Sequence, residues 1–239
     1  MEALAQNRAQ VLDRVAKACR AAGRDPREVR LVAVTKSAGP ELAAELFALG
    51  SIDLGENRVD ELERKATWFR GRGLSARWHF VGHLQRNKAR RVLRLAHEIH
   101  AVDSRALLET LLRQAREEDA RPGIYLQVKL APEESKGGLA PDEVAELVRL
   151  ARDARTLPLL GLMTIAPLLA EEGEARRAAR ATFEALAELA RSLPADAFAG
   201  GYPRLSMGMT GDLEEAIAAG AHVLRIGSAL LAGAHGARA

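Results

Sequence analysis

Short apolar runs alternate with segments of helical period along most of the chain. Runs of strand character lie at 30–35 (RLVAVT), 52–54 (IDL), 78–81 (WHFV), 98–102 (EIHAV), 124–130 (IYLQVKL), 159–163 (LLGLM), 204–207 (RLSM) and 222–226 (HVLRI). Between them, PELAAELFAL places Pro40 in a first helical turn, and DSRALLETLLRQAREED offers Asp103 or Ser104 as a cap. PDEVAELVRLARDA and EARRAARATFEALAELARSL keep the apolar period of a helix. Ahead of the first run, residues 3–22 read as an amphipathic helix with Leu4, Val11, Leu12, Val15 and Cys19 on one face and Gly23 as its stop.

Eight strand-like runs separated by helices predict repeated βα units, a parallel sheet and a closed (β/α)8 TIM-type barrel. An open doubly wound sheet is the alternative, but it would often carry a GxGxxG turn after its first strand, and TKSAGPE has none. After the eighth run, residues 227–239 are too few for a loop and a full outer helix, so the extra N-terminal helix is expected to fill that place. With no linker, repeat or low-complexity stretch, residues 1–239 are expected to form a single domain.

Composition narrows the function classes. Apolar residues make up 48% and charged residues 28%, and the net charge is only +3, a weak argument for nucleic acid. QRNKARR (85–91) and RGRG (70–73) lack an interleaved aromatic platform, so no nucleic-acid partner is expected. The one cysteine, Cys19, permits no internal disulfide and suits the cytosol. The N-terminus does not read as a signal peptide, and no apolar run approaches the roughly 20 residues that span a bilayer. A cytoplasmic protein with no membrane partner is the expectation. His79 with His83, and His97 with His100, lack a third ligand by spacing, so no metal is expected.

Candidate chemistry gathers where strands end, the functional end of a parallel barrel. LSMGMTGD and RIGSAL follow strands seven and eight. Their glycines and the hydroxyls of Ser206 and Ser228 suit a phosphate, although such residues also build ordinary tight turns. Lys36 closes the first strand and would point into the same mouth. Only six of the 35 basic residues are lysines, so a lysine kept at a strand tip carries some information. Its amine could condense with an aldehyde, and an aldehyde that also carries a phosphate is pyridoxal 5′-phosphate (PLP). A solvated lysine, or one paired with Glu56, is the plainer reading. Arg225 lies inside strand eight, facing either a ligand or an outer helix.

Six segments carry a resemblance: LVAVTK (31–36), FALGSIDLGENRVDE (47–61), WHFVGHLQRNKAR (78–90), EESKGGL (133–139), GLMTIAP (161–167) and LSMGMTGDLEEAIAAGAHVLRIGSA (205–229). By these the chain is similar to the pyridoxal phosphate homeostasis proteins, PLP-binding relatives of the alanine racemase N-terminal barrel. The resemblance implies a fold type III PLP barrel with the cofactor held as a Schiff base on Lys36. It implies Asn57 beside the cofactor, and Ser206 with the Gly227–Ser228 turn on the phosphate, near Met207, Met209 and Thr210. It implies Arg225 facing the pyridine nitrogen, with His83 and Met163 lining the pocket. Ser228 stands where threonine is common in the family, and His83 where proline is also common. Thr210-Gly211-Asp212 replaces a more usual serine-plus-acid pattern.

An arginine at the ring nitrogen disfavours its protonation and makes the cofactor a poorer electron sink. Racemisation also needs acid/base groups on both faces of the substrate carbon, one of which the racemase takes from a second domain not expected here. Tyr125 and Tyr202 read as structural and toward the wrong end of the barrel. The expected function is PLP homeostasis: reversible binding and delivery to PLP-dependent apoenzymes without strong turnover, by a monomer or weak dimer. The alternatives are a PLP-dependent amino-acid racemase and a sugar-phosphate enzyme with a Schiff-base lysine. Lys136 is a second amine expected near the same barrel end.

Overall fold

The structure, a computed structural model, describes residues 1–130 and 137–234. Lys136, with residues 131–135, lies outside the described residues. Eight parallel strands close into one barrel in chain order: β1 (Arg30–Val34), β2 (Asp53–Glu56), β3 (Arg77–Phe80), β4 (Glu98–Val102), β5 (Gly123–Gln127), β6 (Leu159–Met163), β7 (Arg204–Ser206) and β8 (Val223–Ile226). Closure comes from β1 lying beside β8, with Val32 opposite Arg225 and Ala33 opposite Ile226. The helices are α1 (Glu2–Ala21), α2 (Pro40–Ala48), α3 (Val59–Arg70), α4 (Ala89–Leu93), α5 (Arg105–Glu118), α6 (Pro141–Ala154), α7 (Glu172–Arg191), α8 (Leu213–Ala218) and α9 (Ser228–Leu231).

Local chemistry sets the helix starts. Pro40 and Pro141 each occupy a first turn, where the missing N–H costs nothing. Ser104 caps α5 by accepting from the Leu107 N–H at 3.3 Å, which leaves the neighbouring Asp103 carboxylate free for another partner. The short α8 and α9 leave a gap in the outer ring, and α1 packs against both. Leu4, Val11, Val15 and Cys19 form its buried face, as expected; Leu12 does not join them and is 38% exposed. No helix among the described residues is long and apolar enough to cross a membrane.

Strand alternation divides the core in two. Outward residues such as Ala33, Leu54, Phe80, Ile99, Leu224 and Ile226 pack against the helices in one large cluster. Inward residues Val32, Val34, Ala101, Tyr125, Leu160, Met163 and Val223 form a smaller cluster in the lumen. Barrel lumens are usually filled by branched aliphatics. Here part of the lumen is polar, with His79, His100, Ser206 and Arg225 all buried.

Candidate functional site

Lys36 continues the inward parity of Val32 and Val34 one step past β1, which places it at the C-terminal mouth. The residue before it is held from two sides. The Thr35 hydroxyl donates to Glu56 Oε1 at 2.5 Å, and Lys65 Nζ of α3 donates to the Thr35 carbonyl at 2.6 Å. Lys65 also pairs with Glu56 at 2.5 Å, both wholly buried. The pairing of Lys36 with Glu56 weighed above is thus not the one found, because Glu56 faces α3, away from the lumen. Lys36 itself is exposed to a cavity of ≈ 770 Å³ at the barrel mouth.

That cavity gathers eight of the residues expected to bind a cofactor: Lys36, Asn57, His83, Met209, Thr210, Arg225, Gly227 and Ser228. Across the mouth from Asn57, the loops after β7 and β8 meet. The Thr210 and Ser228 hydroxyls lie 3.0 Å apart, and the Ala229 N–H donates to Thr210 Oγ1 at 3.4 Å. Asp212 accepts from the Met209 N–H at 2.5 Å and fixes the turn, while Arg14 of α1 braces it by donating to the Thr210 carbonyl at 3.1 Å. Gly227 lets β8 approach β1 closely, since a Cβ there would lie 3.0 Å from the Val34 carbonyl oxygen.

Arg225 points inward, not toward an outer helix. Its Nη1 donates to Ser206 Oγ at 2.7 Å and its Nη2 to the Thr164 carbonyl at 2.9 Å. Burial pushes the guanidinium down to about 10, against the opposing pull of Asp212 and Tyr125.

Three expected residues are not brought to the cavity wall. The Ser206 hydroxyl faces the lumen and is engaged by Arg225 and His100. Met207 follows it and turns into the outer core. Met163 is buried beneath the cavity with Val34 and Tyr125. Strand alternation turns Met207 outward, while Ser206 and Met163 keep inward parity but are wholly buried in the lumen below the wall.

His83 and Asp103 form a pair that the sequence did not join. His83 Nδ1 donates to Asp103 Oδ2 at 2.7 Å, while the imidazole stays 70% exposed at the mouth. Deeper in the lumen lies a second grouping missed by spacing arguments. His79 Nδ1 is 3.0 Å from His100 Nε2, His79 Nε2 is 2.8 Å from Asp53, and His100 Nδ1 is 2.8 Å from Ser206 Oγ. Glu98 stands beside them, accepting from Arg30 at 2.5 Å and from the Tyr125 hydroxyl at 3.3 Å. The expectation of no metal weighed His79 with His83 and His97 with His100. The histidines that meet are His79 and His100, from adjacent strands, with Glu98 as a third group within 4.8 Å. Each of these side chains is engaged in protein contacts at hydrogen-bonding distance. The signal in the sequence was a polar residue at inward parity in WHFV and EIHAV, runs that are otherwise mostly apolar. Tyr125, stacked on His100 with ring centroids 4.5 Å apart, is wholly buried, and Tyr202 is exposed ahead of β7. Burial, with Glu98 adding to it, pushes the Tyr125 phenol far above its ordinary value.

A barrel with these groups at its mouth matches a known class. The family model of the alanine racemase N-terminal domain covers residues 7–234. Among curated relatives, the pyridoxal phosphate homeostasis protein of Aquifex aeolicus is 34% identical over 92% of this chain and 93% of its own length. That of Pseudomonas aeruginosa is 37% identical over 96% and 95%. Among solved structures, PipY of Synechococcus elongatus with PLP bound superposes with a TM-score of 0.76 at 33% identity, covering 90% of this chain and 99% of that one. The chain belongs to this family of pyridoxal phosphate homeostasis proteins, built on the alanine racemase N-terminal barrel.

Proposed function

We propose that this chain binds pyridoxal 5′-phosphate at the barrel mouth, as a Schiff base on Lys36, and serves its intracellular homeostasis and delivery without strong turnover of its own. One observation carries the reading: the Lys36 amine, Arg225 and the joined hydroxyls of Thr210 and Ser228 line a single cavity. The donor set fits the molecule. A primary amine suits the aldehyde, paired hydroxyls suit the phosphate, and an arginine suits a ring nitrogen that accepts a hydrogen bond.

Condensation of the amine with the aldehyde forms one carbon–nitrogen double bond and releases one water, and hydrolysis reverses it. The bound cofactor supplies an electron sink, and Arg225 limits it. A guanidinium only donates, so a ring nitrogen facing it keeps its lone pair for that bond and stays unprotonated. Asn57 and His83 flank the mouth. Met163 lies buried in the lumen cluster with Val34, and Ser206 accepts from Arg225. The relatives' names agree with a handling role, with PLP-dependent apoenzymes as recipients of the released cofactor. We place it in the cytoplasm as a monomer or weak dimer, with residues 1–239 as one domain.

Borohydride reduction of PLP-loaded protein, followed by peptide mapping, is the direct test. The expected result is one modified peptide containing Lys36, and a K36A variant that no longer forms the chromophore. Label on a peptide without Lys36 would overturn the assignment, and efficient interconversion of the alanine enantiomers would overturn the non-enzymatic part.

A further inference from the structure

Beneath the cavity, the lumen holds a chain of side chains that the functional reading leaves unused. From the N-terminal rim toward the mouth it runs Asp53, His79, His100, Ser206 and Arg225, one each from β2, β3, β4, β7 and β8. Successive polar atoms lie 2.8, 3.0, 2.8 and 2.7 Å apart. His79, His100 and Ser206 are wholly buried, and Arg225 nearly so.

The protons follow by elimination. Burial raises the Asp53 carboxyl, while the hydrogen bond from His79 and the positive charges of Arg30 and Arg77 pull it down, and the group lies below its ordinary value. Asp53 is therefore ionised and only accepts, so His79 Nε2 carries a proton. At the far end Arg225 only donates, so Ser206 Oγ accepts there. Complete burial pushes His100 well below its ordinary value, so it is neutral with a single N–H. Two orderings satisfy these distances. With the proton on His100 Nε2, His79 is neutral, the Ser206 hydroxyl donates to His100 Nδ1, and all four bonds point from Arg225 to Asp53. With the proton on His100 Nδ1, His79 must be a buried imidazolium and the Ser206 proton has no acceptor in the chain. The first ordering adds no buried charge and leaves no donor idle.

We infer that His79 and His100 are positioning residues: anchored by Asp53, they form a one-way hydrogen-bond chain that fixes the Ser206 hydroxyl and, through it, the Arg225 guanidinium against the ring nitrogen of the bound cofactor. This rests on the proposed PLP site. The need for such a device is physical. The groups that hold Arg225 are neutral oxygens, and a serine hydroxyl is a free rotor that can donate or accept. Committing its proton to His100 leaves a lone pair aimed at Arg225. The Tyr125 ring, inclined 16° to His100, sets the imidazole plane. Arg77 reaches Asp53 at 3.4 Å, so the chain ends at a half-exposed charge on the opposite rim from the cofactor. Among the described residues, the other charged or titratable groups facing the chain are Arg30, Glu98 and His97 near His79 and Asp53, Tyr125 over His100, Arg204 near Tyr125, and Asp212 near Arg225.

Two measurements test it. Nitrogen-15 NMR of the histidine-labelled full chain, assigned with single-histidine variants, reads tautomers without any cofactor. The expected result at neutral pH is the Nε2–H tautomer at both His79 and His100; an Nδ1–H tautomer or an imidazolium at either overturns the chain. The second follows the pH titration of the bound chromophore in D53N and H100F. H100F keeps a ring stacked on Tyr125 and removes both nitrogens. D53N preserves shape, but its amide can present His79 either an acceptor or a donor and so removes the anchor that sets the direction of the chain; it decides the matter if H100F fails to fold. Both are expected to take up one PLP per chain and to move the midpoint by about one pH unit, a tenfold change in the equilibrium. An unmoved midpoint overturns the positioning role, since a purely structural part would alter stability and not the spectrum. Wild-type protein that takes up no PLP would overturn the site reading and, with it, the role toward the ring, while the tautomers would still decide the chain.

Discussion

The hydroxyls of Thr210 and Ser228 lie 3.0 Å apart and tie the loop after β7 to the start of α9. Neither needs the other once an anion arrives, because each can turn its proton to a phosphate oxygen. Hydrogen bonds to charged groups are worth about 1.5–3 kcal/mol. T210V and S228A are each expected to weaken PLP binding by about tenfold or more. The double variant should lose less than the two effects combined, because the partners are in contact. Absorbance titration with PLP measures all three; unchanged affinity in both single variants would remove these loops from the phosphate grip.

The buried pair of Lys65 and Glu56 supports the strand tip that bears Lys36, through Thr35. Glu56 Oε2 has no hydrogen-bond partner among the described residues. Burial raises the Glu56 carboxyl, with Lys65 and Thr35 pulling it back. K65M removes the compensating charge and is expected to destabilise the fold by about 3–5 kcal/mol. The K65M/E56Q double variant should recover part of that loss, because no charge is then stranded. Urea denaturation decides it: a double variant no more stable than K65M would mean that packing, not charge, governs this contact.

How much of this was legible in the chain depends on whether a contact runs along a strand or across strands. RLVAVTK shows its alternation outright, so Lys36 at the mouth follows from Val32 and Val34. All eight predicted runs overlap observed strands, because a parallel barrel repeats one local pattern. Ser206 and Met207 were expected together at a phosphate, yet alternation separates them. The His79–His100 contact was invisible, since it depends on β3 lying beside β4 in a register that linear spacing does not carry. Lys65 and Glu56 share that difficulty, being nine positions apart on a helix and a strand. Leu12 fits the helical stripe of α1 by spacing and still faces solvent, at the edge of the buried face formed by Leu4, Val11, Val15 and Cys19.

Acid sensitivity follows from His222. Its Nδ1 accepts from the Leu205 N–H at 3.1 Å, which requires the neutral ring. Burial, then the charges of Arg24 and Arg204, pull it from 6.5 down to about 4. Between those values the unfolded chain takes up a proton that the folded one refuses, so stability falls as pH falls through that window. The slope for one such group approaches about 1.4 kcal/mol per pH unit. His100 is shifted the same way by its burial and adds to the loss. H222N, whose amide oxygen can still accept from Leu205, is expected to flatten the slope measured by urea denaturation between pH 6.5 and 4. Equal slopes in variant and wild type would show that His222 does not titrate in this way.

Two glycines of the same cavity separate close packing from open space. A Cβ on Gly82 would lie 2.2 Å from the Asn57 carbonyl oxygen and 2.7 Å from its Cα, a backbone that cannot yield without moving Asn57. A Cβ on Gly211 meets nothing within 4 Å. Asn57 lines the cavity, so displacing it should disturb bound PLP as well as the fold. G82A is expected to cost about 1–3 kcal/mol, the usual range for overpacking, and to weaken PLP binding by about tenfold. G211A should change stability by no more than about 0.5 kcal/mol and leave affinity unaltered. Thermal unfolding with and without PLP reads both quantities in each variant, because a ligand that binds only the folded form raises the midpoint by an amount that grows with the logarithm of its affinity. If G82A kept the wild-type increment on adding PLP, Asn57 would have no part in holding the cofactor.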